Sequence, residues 1–216
     1  MGMPTDPADL LRLTQWLSPS FPVSAYAYSH GLEAEIAAGR VTDAAAVEAW
    51  LRHILQAGAA RSDAILLIAA RGDGADLAGL SDLARALAGS AERLRETEDQ
   101  GAAFALTLHQ MGQGDGTPRP YPVAFGAASA ALRLADATVA ALFLQAIIGN
   151  LVAAAVRFVP LGQAEGQRIV AALHPFAITV AGQAVAQGLD GLGQAAFGAD
   201  LAAMEHETQE VRIFRT

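Results

Sequence analysis

The residues with chemistry to offer are few and widely spaced. Ala27-Tyr28-Ser29-His30-Gly31 approaches the nucleophile elbow of an α/β-hydrolase, with alanine replacing the first glycine, and Asp136 and then His174 or His206 follow in the order a triad would need. In that reading Ser29 attacks a carbonyl while a histidine takes its proton. The elbow works only where a strand delivers the serine to a sharp turn above a parallel sheet, and the rest of the chain reads as helix. The five histidines, His30, His53, His109, His174 and His206, stand far apart, and no His-Glu-x-x-His puts two ligands on one helical turn. His206 and Glu210 would form an i, i+4 pair if the C-terminal segment were helical, which is a weak metal site beside the simpler reading of a solvated charged tail. Asp73-Gly74-Ala75-Asp76 resembles the start of a calcium loop but lacks the closing glutamate, so it reads as a turn. Glu92, Arg95, Glu96 and Asp99 follow helical spacing and read as ion pairs along an exposed helix face.

Composition removes other chemistries. All 14 basic residues are arginine, so a Walker A lysine, a Schiff base and a Ser-Lys dyad are excluded, and no cofactor is expected. Without cysteine there is no disulfide framework, thiolate metal site or thiol nucleophile. The net charge of −8 opposes binding to nucleic acid or an anionic membrane, which require clustered cations. Pro4, Asp6, Pro7 and Asp9 interrupt any apolar run near the amino terminus, so a secretory signal is not expected and the cytoplasm is the expected location.

The elements that must position these residues are helical. Hydrophobic residues make up 53% of the 216 positions, many of them alanine, and no Pro/Ser-rich linker divides the chain. Asp6-Pro7 reads as a helix cap followed by proline at the first helical position. Thr42, Ser81 and Ser90 read as further caps, and Val47, Trp50, Leu51, Ile54 and Leu55 form the clearest amphipathic stripe. Residues 64–70 are uniformly apolar and read as buried helix. Residues 137–156 carry no charge and are long enough to span a membrane, but their alanine and glycine content favours a central helix enclosed by others. A helix kinked at Pro175 follows over 163–187, then a glycine-rich loop over 188–198 and a partly ordered, charged tail over 199–216. The expected architecture is a single all-α domain over 1–216, with about ten helices around a central apolar one.

Three segments taken together carry a resemblance. They are Phe21-Pro22-Val23-Ser24-Ala25-Tyr26-Ala27-Tyr28-Ser29-His30-Gly31-Leu32-Glu33, then Val159-Pro160-Leu161-Gly162-Gln163 with Gly166-Gln167, and His206-Glu207-Thr208-Gln209 leading to Arg212-Ile213-Phe214-Arg215-Thr216. In that order and spacing the chain resembles the urease accessory protein F family along nearly its whole length. It departs from the family pattern at Ser24, Tyr26 and Glu210.

The resemblance implies a non-enzymatic, commonly dimeric maturation factor. Such a protein binds urease accessory protein D (called H in some systems), recruits the GTPase accessory protein G, and serves nickel delivery to apo-urease. It also implies that residues 205–216 become ordered on the D or H partner, with Arg212 and Phe214 as anchors and Tyr26 and Tyr28 as the surface receiving them. His30, Glu33 and His206 lie in the matching motifs and join the expected partner-binding set. Asn150, Arg157 and Gln163 are further candidates, as rare polar groups near the most apolar part of the chain. The competing readings are a nickel-binding metallochaperone using His206 and carboxylates, and the Ser29 hydrolase.

Overall fold

The computed structural model describes residues 6–193 and 195–215. The amino-terminal reading over Met1–Thr5 and the last tail residue, Thr216, lie outside the described residues. Among the described residues ten α-helices follow in the order α1 (Pro7–Trp16), α2 (Leu32–Ala37), α3 (Ala44–Ala57), α4 (Ala59–Arg71), α5 (Leu77–Ala86), α6 (Ala91–Gln110), α7 (Tyr121–Ser129), α8 (Asp136–Phe158), α9 (Gln163–Gln187) and α10 (Phe197–Glu207). Among the described residues there is no strand.

Helices begin where a side chain accepts one of the first free backbone N–H groups. Asp6 caps α1 through Ala8 N at 2.9 Å with Pro7 behind it, and Ser90 caps α6 through Arg93 N at 3.0 Å, both as expected. Two caps differ from the sequence reading. Asp43, not Thr42, accepts from Ala46 N at 2.8 Å, because the carboxylate reaches the third residue of α3 from the extended backbone of the capping position. Ser81 lies inside α5, its hydroxyl bonded to Leu77 O at 2.6 Å, while Asp76 of the Asp73–Asp76 turn is the cap. The stretch expected as a loop over 188–198 contains a 3-10 turn (Gly188–Gly191) and the start of α10. Half of the expected charged tail is therefore helix. Its alanines at 199, 202 and 203 are buried along one side, which gives that half a packing face a solvated tail would lack.

The uncharged stretch over 137–156 is the central helix. From one side α8 contributes Ala140, Leu144, Ile148, Leu151, Val152 and Ala155 to a cluster shared with α3, α4 and α9. From the other it contributes Val139 and Phe143 to an aromatic cluster with Trp16, Phe21, Phe104 and Phe125. α4 joins both clusters and supplies Leu66 and Ala70 to a third with α5 and α7, so one connected core underlies the whole domain. Helices α4 and α7 cross closely at Gly126, where a Cβ would lie 2.4 Å from Leu67 O. Both α8 and α9 are long and apolar enough to cross a membrane, yet each turns a buried stripe into this shared core.

Candidate partner-docking site

Residues 28–33, read from sequence as a hydrolase elbow or a family motif, form a cradle for the C-terminal segment. His30 and Gly31 both take left-handed backbone conformations, φ 53° and 77°, and turn the chain sharply into α2. At Gly31 a Cβ would lie 2.8 Å from Ala203 N, so the missing side chain is what lets α10 lie directly on this turn. Ser29 is fully buried, and its hydroxyl accepts from Glu33 N at 3.3 Å within the first turn of α2.

Helix α10 is fastened by His206, which has no exposed surface. Its Nε2 lies 3.0 Å from Glu33 Oε2 on α2 and its Nδ1 lies 2.7 Å from Glu92 Oε2 on α6. Ionised carboxylates only accept hydrogen bonds and a neutral imidazole donates from one nitrogen, so both contacts are satisfied together only when the site holds one additional proton. At the next residue Glu207 accepts from Ala91 N at 2.8 Å and Glu92 N at 3.2 Å, covering the N-terminus of α6 with a charge of the favourable sign. Arg40 adds a solvent-facing link by binding both Glu35 and Glu205.

The segment after α10 then lies across the cradle. Glu33 Oε1 and Oε2 accept from Ile213 N and Phe214 N, each at 2.9 Å, so one buried carboxylate holds two successive backbone donors as well as His206. Arg212 bonds Glu92 Oε1 at 2.6 Å. Phe214 is buried, with its ring edge-on to Phe158 at 5.5 Å, and Arg215 N bonds Ala27 O at 2.7 Å. The tail expected to become ordered on a partner is thus docked on its own chain. Its two expected anchors meet Glu92 and Phe158 rather than the tyrosines. Tyr26 is 61% exposed, whereas Tyr28 is buried and its hydroxyl meets the Arg215 side chain. Burial pushes the Tyr28 phenol above its usual range, against the opposing pull of that arginine.

Beneath the cradle is a second charged cluster. His30 Nε2 lies 2.9 Å from Glu96 Oε1, Gln100 donates to the same oxygen at 3.0 Å, and Arg93 bridges Glu96 and Asp63. Burial alone would raise the Glu96 carboxyl, but His30 and Arg93 outweigh it and hold it down at about 2. Asp63 moves the opposite way, raised by burial, because Arg93 is its principal counter-charge while Glu96 faces both His30 and Arg93. His30, Tyr28 and Asn150 line one small cavity of about 50 Å³ with Asp63, Arg93 and Glu96.

The structure therefore gathers Tyr28, His30, Glu33, His206, Arg212 and Phe214 into one region and brings Asn150 to its floor. Arg157, near the end of α8, and Gln163, at the start of α9, are exposed and make no hydrogen bond to this cluster among the described residues. Sequence reasoning placed Glu92 and Glu96 on a solvated face, and both are buried. The signal was present: Glu92, Glu96 and Gln100 continue, at i+4 steps, the stripe of Phe104 and Leu108.

Neither competing chemistry finds its geometry. A 3-10 turn, not a strand, precedes Ser29, which is enclosed, and Asp136 pairs with Arg71 at 2.8 Å. Among the described residues no group of three or more His, Asp or Glu side chains is disposed to hold a metal ion, and the two nitrogens of His206 face different carboxylates.

Comparison with known proteins identifies the family of the chain. The family model for UreF matches residues 41–174. A urease accessory protein UreF from Jannaschia sp. (strain CCS1) is 66% identical over 96% of this chain and 94% of its own. The chain belongs to the UreF family. Another member, from Cereibacter sphaeroides (strain ATCC 17029 / ATH 2.4.9), is 59% identical over 97% of this chain and 99% of its own, and one from Rhodopseudomonas palustris (strain HaA2) is 43% identical. The UreF family match covers α3 to the middle of α9, so the cradle and the docked tail flank it on either side.

Proposed function

We propose that this chain is a non-catalytic adaptor in urease maturation. It binds urease accessory protein D (or H), recruits the GTPase accessory protein G to apo-urease for nickel insertion, and acts in the cytoplasm as a homodimer. The names of its relatives support a role in urease maturation, and one observation supports the docking role. Along one side of α10, Phe197, Leu201 and Met204 recur at i, i+4 and i+7 and are 72%, 59% and 47% exposed, while the opposite side is locked down by His206. Large apolar side chains held rigidly in solvent mark an interaction surface. Val211 and Ile213, 76% and 64% exposed on the docked tail, supply more of the same chemistry.

The absence of lysine fits this division of labour, since the nucleotide is held by the GTPase and this chain modulates it. In this reading the whole chain is one domain whose segment 199–216 is the docking element. Its partner-binding residues are Tyr26, Tyr28, His30, Glu33, Asn150, Arg157, Gln163, His206, Arg212 and Phe214. Size-exclusion chromatography with light scattering tests it: the chain is mixed with the D or H protein, then with the GTPase and GTP. Stepwise co-elution is expected, with a chain ending at Thr208 failing to form the larger complex; no complex with the intact chain would end the adaptor reading.

A further inference from the structure

The geometry points to the groove between α6 and the docked tail as a receptor for an acidic side chain of a partner protein, with Arg95 as the cation that receives it. This inference rests on the adaptor reading and adds to it the chemistry of one contact. Tyr28, Glu92, Arg95, Asp99, Arg212, Phe214 and Arg215 surround an open groove of about 440 Å³. The molecule as a whole carries −8, but here three guanidinium groups face two carboxylates and leave one positive charge in excess.

The existing contacts identify the arginine that is available. Glu92 is fully engaged, with Oε1 on Arg212 and Oε2 on His206. Arg215 is pinned through its backbone to Ala27 and through its side chain to Tyr28. Arg95, exposed on α6, makes no ion pair or side-chain hydrogen bond among the described residues. Its planar fork suits two-point binding of a carboxylate, and Phe214 gives the groove an apolar wall. A phosphate group fits less well. Glu92 and Asp99 would repel its second charge, and the helix N-terminus nearest Glu92 is already covered by Glu207. Because Arg212 and Arg215 come from the tail and Arg95 from α6, the groove exists only while the tail is docked, which ties partner recognition to that state.

The test uses the full chain and its Arg95→Glu, Arg95→Lys and Arg168→Glu variants, with affinity for the D or H protein and for the GTPase measured by calorimetry. Arg168 is exposed on α9 and controls for the change in net charge. Arg95→Glu is expected to weaken binding of one partner by about tenfold or more and Arg95→Lys by less, since it keeps the charge but loses the two-point fork, while Arg168→Glu stays within about threefold of the parent. Unchanged thermal melting and helical circular dichroism establish that each variant is folded. If the parent binds both partners and Arg95→Glu binds as well as it does, the receptor is overturned and the adaptor reading stands. Equal loss in Arg95→Glu and Arg168→Glu also overturns it, as does binding of inorganic phosphate or GTP to the isolated chain that disappears in Arg95→Glu. Failure of the parent chain to bind either partner defeats the adaptor reading itself.

Discussion

Glu33 accepts from two backbone N–H groups and meets His206 Nε2, and a buried carboxylate is tolerable only when so surrounded. Removing His206 leaves Glu33 and Glu92 facing its vacated volume with their shared donor gone. His206→Ala is expected to destabilise the protein by about 3 kcal/mol, read as a lowered midpoint in urea, since breaking a buried pair costs roughly 3–5 kcal/mol. Glu96 sets a pH dependence. Its folded value near 2 lies below the unfolded 4.5, so its contribution is present above about pH 4.5 and is lost as pH falls towards 2. Glu96→Gln should flatten the acid limb of a stability-versus-pH curve in that window. Asp63, shifted upward, acts with the opposite sign and leaves the curve shallower than Glu96 alone would make it.

At the scale of elements, α10 and the tail act as one strap. α10 lies on the Gly31 turn, and the following residues are fixed by Glu33, Glu92, Ala27 and Phe158. Phe214→Ala removes the only aromatic contact holding the strap's end among the described residues. Losing a buried phenylalanine costs about 3 kcal/mol, which for a locally opening segment is roughly a hundredfold in the open population. Trypsin cleavage after Arg212 should rise by about that factor while the core stays resistant. Gly31→Ala should loosen the same strap from its other end, because the new methyl meets Ala203 N in a backbone conformation that alanine disfavours. Faster amide exchange across α10, with α8 unaffected, is the expected signature.

For the molecule as a whole, Phe104 is the hub of the aromatic cluster, touching Trp16, Phe21, Tyr121 and Phe125 at ring separations of 5.3–5.8 Å. Phe104→Ala is expected to cost about 4 kcal/mol and, at roughly 2–4 °C per kcal/mol for a domain of this size, to lower Tm by about 10 °C. Calorimetry should show one broadly cooperative transition, because α4 joins all three clusters.

The helical class, the Asp6 and Ser90 caps, the enclosed α8 and the family motifs were legible in the sequence, because periodicity, capping and spacing are local properties. The site was legible only as a set of positions. That His206 reaches Glu33 across 173 residues and Glu92 across 114 is decided by how α2, α6 and α10 pack, which no local pattern encodes. The same packing turned Glu92 and Glu96 from residues of an apparently exposed, ion-paired helix face into buried anchors, and made a helix of the first half of the expected tail. A carboxylate's role depends on what surrounds it, and here its surroundings come from segments that only the tertiary structure brings together.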